Sequence, residues 1–438
     1  MADNILALER FNISGASPDT PRVAYYDAIL HTSNHDFRID MLMSVYEKND
    51  FINNQSTYLE IEGQLPLGDF LKFIYPERES LSVTLINTTI GNKHKMEYHL
   101  ILKDIDSDIK SKMLDTTPMS ELNKSYTHFR AQCLSKTFKH MRTKTTEGVY
   151  KDSTLYDVLT TILLKEFSLF SGMMGYFNNG LILSPLDNDR KYEHIIIPNA
   201  TNIIDIPAFL QNHKTYGLYN GGVSLFFMSS HFESLYIFPT HKHTTRIGER
   251  SLEIFGLTST DISTIESTYT LNGDRLKILV RKEDRDNEDD IKLKDRGTKI
   301  ISTEANAVVS RPYQISNGKL ELNADWLINR QDHKKIDDGL TPVKKSDVTG
   351  NQYALRSEVL KDSGIVLKLH WNHSNVSLLT PMMSVRYVEE IDGKLKKFDG
   401  VLQRYDAITD NNGRVENAIL FIFVNENNGM TNDIMNLF

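Results

Sequence analysis

At 438 residues the chain is longer than one ordinary domain and has room for about two to four, each large enough for its own core. Apolar residues make up 40% and charged residues 25%, which excludes a disordered or fibrous chain. The net charge of −8, from 58 acidic and 50 basic side chains mixed along the chain, weighs against a sequence-wide nucleic-acid binder, which would normally show a basic face. The single cysteine, Cys133, can form no internal disulfide or cysteine-built zinc site and fits synthesis in a reducing cytoplasm. The start, MADNILALERFNISG, lacks a signal peptide's apolar core, and nowhere do about 18 apolar residues run together. The expectation is a chain neither secreted by that route nor carrying a membrane-spanning segment.

Ser17, Pro18, Asp19 and Pro21 mark a turn, after which Arg22 to Leu30 and Phe37 to Tyr46 read as extended. In the second segment Phe37, Ile39, Met41, Met43 and Val45 alternate with other residues, the period of a half-buried strand. Asn53 and Asn54 interrupt it, Tyr58 to Glu62 resumes it, Gly63 to Gly68 is a turn, and Asp69 to Tyr75 is short and ambiguous. Leu81 to Ile86 and Met96 to Lys103 read as strands with a turn at Gly91 and Asn92. So many strands so close together are best satisfied by a closed or nearly closed antiparallel barrel or sandwich, which leaves few unpaired edges.

From Asp104 the texture changes. Ser120 to Lys139 carries Leu122, Tyr126, Phe129, Cys133, Leu134 and Phe138 at helical spacing, with strand character at Thr127 to Leu134. Lys151 to Phe170 is the clearest helix: Leu155, Val158, Leu159, Ile162, Leu163, Phe167 and Phe170 form one apolar stripe. Thr154 and Asp157 can make a capping box, and Gly172 can end the last turn. Met174 to Leu183 and Tyr192 to Pro198 look extended, Asp205 can cap a short helix with Pro207 in its first turn, and Val223 to Met228 and Ser234 to Phe238 return to strands. Arg281 to Arg296 is almost wholly charged and reads as a solvated loop or hairpin, and Asn329 to Gln352 is a second polar stretch. Ile365 to Trp371, Met383 to Glu389, Gly400 to Ile408 and Glu416 to Val424 are strands again, with turns at Asp392-Gly393 and Asn411 to Gly413. No residue-level internal repeat connects this last block to the first.

No catalytic constellation emerges. His241 with His243, and His370 with His373, are close pairs without the further ligands a metal needs. Cys133 sits among Phe129, Leu134 and Phe138 and reads as a small buried apolar residue rather than a nucleophile. Gly221-Gly222 and Gly172 lack the lysine and the strand-to-helix context of a phosphate loop, and Lys139 to Lys144 reads as a solvated basic turn. The site expectation is therefore no catalytic, no cofactor-binding and no metal-binding residue.

Taken in order, FRIDMLMSVYEKNDFINNQSTYLEIEG, LPLGDFLKFIYPERESLSVTL, YTHFRAQCLSKTFKHM, KDSTLYDVLTTIL, IIIPNATNIIDIPAFLQ, VSLFFMSSHFESLYIF, SLLTPMMSVRYVEE, FDGVLQRYDAIT and VENAILFIFV resemble the central baseplate hub proteins of contractile-tailed bacteriophages, relatives of the late-control tail proteins. The chain departs from that pattern in the polar stretch before the last block. The resemblance implies an α+β, mainly β fold: two tail-tube-like antiparallel β-barrel domains with an α/β insertion domain. On this basis 1–105 with 216–250 form the first barrel, 106–215 the insertion, 251–345 a polar connector with extended strands, and 346–438 the second barrel. It further implies a structural virion protein of the tail baseplate, made in the host cytoplasm, whose homotrimer forms a pseudo-sixfold ring between a sixfold tail tube and a threefold central spike. Implied partners are its own copies, the tail tube or tube-initiator protein, the spike and the baseplate wedge proteins, with genomic DNA only in passage. The alternatives are another β-rich tail component, a tube initiator or wedge protein, and more remotely a wall-degrading hydrolase. A free monomer is expected to expose Phe70 to Tyr75 and Ile419 to Phe423.

Overall fold

The computed structural model describes residues 25–89, 92–104, 119–174, 180–231, 233–242, 250–257, 268–282, 300–301, 314–316, 319–321, 341–342, 351, 353–354, 357, 364–391 and 394–425. The turn at Ser17 to Pro21, almost all of the charged stretch to Arg296 and most of Asn329 to Gln352 lie outside the described residues.

The first strands are β1 (Tyr25–His31), β2 (Asp36–Arg38), β3 (Met41–Asp50), β4 (Tyr58–Pro66), β5 (Ser82–Thr89), β6 (Asn92–Asp104) and β7 (Tyr126–Ser135). They pair antiparallel in the order β2-β1-β5-β6-β7-β4-β3 and curl around one apolar core. The helical spacing seen across Ser120 to Lys139 is overruled between β4 and β6. There Thr127, Phe129, Ala131, Cys133 and Ser135 alternate inward as a strand, because two open ladders reward period two over a period near 3.6. The ambiguous Asp69 to Tyr75 lies in a helical run from Leu67 to Glu77. Phe70 and Ile74 point into the core, so they are not an exposed flank.

The middle of the chain supplies α1 (Lys136–Met141), β8 (Thr145–Thr154), α2 (Leu155–Met174), β9 (Gly180–Leu183), β10 (Lys191–Asn202), α3 (Ile206–Asn212), β11 (Ser224–Met228) and β12 (Ser234–Phe238). β8 and β10 form a two-stranded ribbon, and β11-β12-β9 a small sheet. The clearest helix starts four residues later than the sequence suggests, since Lys151 to Thr154 end β8, and it runs through Gly172. Its capping box forms: Thr154 N donates to Asp157 Oδ2 at 3.0 Å and Asp157 N to Thr154 Oγ1 at 3.1 Å. Leu155, Val158, Leu159, Ile162 and Leu163 are buried in one core with Ile195, Ile197, Leu225, Phe227, Leu235 and Ile237 of the middle strands. Pro207 sits in the first turn of α3, but Asp205 does not cap it. Its carboxylate accepts from Gln55 Nε2 at 3.1 Å and Asn202 Nδ2 at 3.3 Å instead.

The remaining strands are β13 (Ser251–Leu257), β14 (Tyr269–Asn272), β15 (Arg275–Lys282), the short β16 (Ile300–Ile301), β17 (Gln314–Ser316), β18 (Lys319–Glu321) and β19 (Thr341–Pro342), and then β20 (Gly364–Trp371), β21 (Ser384–Ile391), β22 (Lys394–Asp410) and β23 (Val415–Asn425). Six of them close on themselves in the cycle β22-β21-β13-β15-β20-β23-β22. β13 and β15, which the sequence places in the polar connector, are staves of this barrel. The barrel is not wholly antiparallel, because β13 runs parallel to both β15 and β21. Gly256 lets the Tyr387 ring lie flat on β13: a Cβ there would stand 2.8 Å from Tyr387 Cζ.

An internal repeat is present in topology rather than in residues. In order of appearance the curled sheet uses β1, β3, β4, β5, β6 and β7, and the barrel uses β13, β15, β20, β21, β22 and β23. In both, spatial neighbours run fifth, fourth, first, then second, third, sixth and back to fifth. Each has a short extra strand between its first two, β2 or β14, and a helical turn between its third and fourth. They differ in the first strand, whose direction is reversed, and in closure. The gap beside β1 is spanned by Asn411 of the β22–β23 turn, whose Oδ1 accepts from Tyr26 N at 2.8 Å and whose Nδ2 donates to Tyr26 O at 2.7 Å.

Candidate functional site: the seam between the two units

β3 joins the curled sheet to the barrel. Its residues Ser44 to Asp50 pair antiparallel with Asp410 to Arg404 of β22, just past a bulge between Leu402 and Arg404. The bulge turns β22 so that one of its edges serves β21 over its first half and β3 over its second. On the other face of the seam Asp50 and Lys48 stand in register with Arg404 and Asp406, and the Arg404 guanidinium pairs with Asp406 of its own strand. The Arg404 guanidinium also lies 4.4 Å from the Phe421 ring centroid.

The inner side is polar where two apolar cores would otherwise merge. Glu47 is 3% exposed, and its Oε1 accepts from Tyr405 Oη at 2.6 Å and from Asn49 Nδ2. Its Oε2 faces His231 Nε2 at 3.4 Å, an ion-pair distance at an angle that makes no hydrogen bond. Burial alone raises the Glu47 carboxyl, but the His231 charge and the hydrogen bonds bring it below the usual range. For His231 burial acts downward, and Glu47 overrides it to hold the imidazole above its usual value. Deeper in the barrel Glu416 Oε1 accepts from Ser374 Oγ and Val376 N, both at 2.8 Å, yet burial pushes this carboxyl up to about 7.

His231 arrives from the β11–β12 connection, so the middle unit is pinned at the same place. Phe227 N donates to Gln55 O at 2.8 Å, Thr57 N to Phe227 O at 3.1 Å, Ser224 Oγ to Phe51 O at 2.6 Å and Gln403 Nε2 to Thr240 O at 3.0 Å. On its far side Glu233 takes Ser135 Oγ and Thr137 Oγ1, each at 2.9 Å, tying β12 to β7 and α1. A polar, fully enclosed joint of this kind fixes the orientation of three units.

The residues weighed in the sequence lie elsewhere. Cys133 is buried in the first core, and burial raises its thiol far from reactivity. His241 stacks edge-on against Phe423 at 5.2 Å between centroids, while His243 lies outside the described residues. His370 is on β20, opposite Ile419, and His373 follows in a left-handed turn at φ 50°. Among the described residues no group of three or more His, Cys, Asp or Glu side chains is placed to hold a metal ion. Gly222, at φ 79°, lies where a Cβ would stand 2.7 Å from Ser357 Oγ, a packing role rather than a phosphate cradle. Lys139, His140 and Arg142 are exposed at the end of α1. None of the seam's ionisable residues was singled out by sequence. The one local signal is SSHFES, a polar run holding His231 between two strands buried throughout.

The model of the family described as bacteriophage PBS1 gene 109 protein matches residues 77–315, more than half of the chain, and the chain belongs to that family. No curated protein matches by sequence. Among solved structures the chain is similar to a tail protein from Neisseria meningitidis MC58, at 9% identity over 91% of this chain and 96% of that one, with a TM-score of 0.48. It is similar to the 43 kDa tail protein of prophage MuSo2 from Shewanella oneidensis, at 11% identity over 90% and 96%, with a TM-score of 0.45. A component of the E. coli type VI secretion system matches at 9% identity over 90% of this chain and 76% of that one, with a TM-score of 0.42. No described helix is long and apolar enough to cross a membrane.

Proposed function

We propose that the chain is a structural protein of the phage tail, and specifically the baseplate hub. Three copies form a ring of six similar β units, which matches a sixfold tail tube on one side and a threefold central spike on the other. The observation that carries this reading is the repeated strand order: two units with the same cyclic neighbours, fused through β3 and β22 into one sheet. A chain that carries two similar units converts threefold into approximate sixfold symmetry without a second gene product. Membership of a phage protein family supports placing it in the virion. The tube or its initiator, the spike and the wedge proteins are its partners, and DNA passes without being held.

In this reading the protein is not an enzyme and carries no cofactor or metal. Its buried ionisable groups serve as joints: Glu47, His231 and Glu416 are each no more than 6% exposed, out of reach of a substrate. Native mass measurement of the purified chain tests the assembly, with three chains expected. A stable dimer, or six chains in the ring as for a tube initiator, contradicts it. Elemental analysis tests the rest, and stoichiometric zinc, nickel or iron contradicts it.

A further inference from the structure

We propose that the attachment of the β11–β12 hairpin to the seam is a proton-controlled latch, closed while the His231 imidazole carries its proton and released when that proton leaves to solvent. It holds whether or not the chain is a hub.

The geometry makes this contact depend on charge. His231 reaches from the β11–β12 connection into the seam, 6% exposed, with Nε2 3.4 Å from Glu47 Oε2. No hydrogen bond joins the two, so the attraction of an imidazolium for a carboxylate is what holds the ring there. Glu47 is anchored independently, since its other oxygen accepts from Tyr405 and Asn49. A neutral ring in the same position would leave that buried carboxylate without a compensating charge, which burial makes costly.

The groups around the pair sharpen the effect. Burial brings Glu416 of β23 up to about 7, and it feels both partners, the His231 cation lowering it and Glu47 of β3 raising it. Loss of the His231 proton therefore leaves one ionised carboxylate, and a second ionising over the same interval, beside a neutral ring. The other titratable groups packed around this cluster are the phenols of Tyr405 on β22, Tyr26 on β1 and Tyr98 on β6, all held well above their ordinary value by burial and so neutral throughout. Glu233, further along the same connection, turns to Ser135 and Thr137, and burial raises it too. For His231 burial acts downward and Glu47 overrides it, so the latch is complete below 6.5 and is lost as pH rises through the raised, folded value.

The hydrogen bonds that cross the joint report its state, because they belong neither to the hairpin's own ladder nor to the barrel. Phe227 N donates to Gln55 O at 2.8 Å, Thr57 N to Phe227 O at 3.1 Å and Ser229 N to Thr57 Oγ1 at 3.1 Å. None of these groups titrates, whereas His231, two residues past Ser229, does.

The test is amide-resolved hydrogen exchange of the full-length chain and its His231→Gln variant at about pH 5.5 and about pH 8.5, read as protection factors so that the intrinsic rate divides out. At the lower pH the variant should lose at least about tenfold in protection at Thr57, Phe227 and Ser229, and at the higher pH it should match the wild type within about twofold. Equal losses at both pH values would mean that the ring only packs, and no loss at either would mean that it holds nothing. Both results overturn the latch. Should His231→Gln fail to fold, Glu416→Gln decides, since it keeps the imidazole and an acceptor for Ser374 and Val376. Its three joint amides should still lose at least about threefold in protection between the two pH values, and a flat profile overturns the proposal.

Discussion

Glu47, His231 and Glu416 give the seam a pH signature whose sign follows from their environments. Glu416 is raised from 4.5 to about 7, so it costs nothing in acid and opposes folding increasingly as pH rises through that interval, by on the order of 3 kcal/mol above it. His231 is also raised, so its contribution is complete below 6.5 and is lost as pH rises through its folded value. Glu47 is lowered and contributes above 4.5, losing its stabilisation only as acid takes it through its folded value. Because Glu416 already opposes folding above pH 4.5, stability should be greatest near pH 4.5 and fall toward pH 8. Glu416→Gln keeps an acceptor for Ser374 and Val376 and removes the charge, so its urea midpoint should exceed the wild type's at pH 8 and match it near pH 4. Parallel profiles for the two proteins would show that Glu416 does not carry the effect. None of this was legible in the sequence, since Tyr405 lies 358 positions from the Glu47 it binds and no window of residues joins them.

The elements that the sequence did disclose are those whose reasons are local. The α2 stripe and the Thr154–Asp157 box are both contained within one stretch of chain, and both form. Leu159→Ala should cost about 2 to 5 kcal/mol in chemical denaturation. Leu164→Ala, on a side chain 51% exposed, should stay within about 0.5 kcal/mol. Equal effects would place the helix the wrong way round. Strand β7 was left open between helix and strand because Tyr126, Phe129 and Cys133 satisfy a helical spacing while Thr127, Phe129, Ala131 and Cys133 satisfy a strand's, and only the neighbours β4 and β6 decide. Ribbon β8 was missed because its only large apolar residues, Val149 and Tyr150, are adjacent and so fall on opposite faces, Val149 outward, which leaves no apolar row at period two. Asn411 is another element-level device, a side chain standing in for the strand missing beside β1. Its change to alanine leaves both Tyr26 backbone groups without that partner and should cost about 1 to 3 kcal/mol. It should also speed hydrogen exchange in β1 before β20, and uniform exchange would count against the latch.

At the scale of the whole molecule, the sequence pointed to strands at both ends and helices between them. It misplaced β7, β13 and β15 because domain edges were drawn where composition changed, whereas strands joined across those changes. The repeat itself left no residue pattern, since what is shared is the order of neighbours and not the side chains that fill them. That order is what the hub reading depends on, and electron cryo-microscopy of the assembled tail measures it most directly. The account predicts a ring of three chains in which six β units stand at nearly equal angles, each chain contributing one β3–β22 junction. A ring of six chains, a twofold assembly, or two units at plainly unequal angles would contradict it.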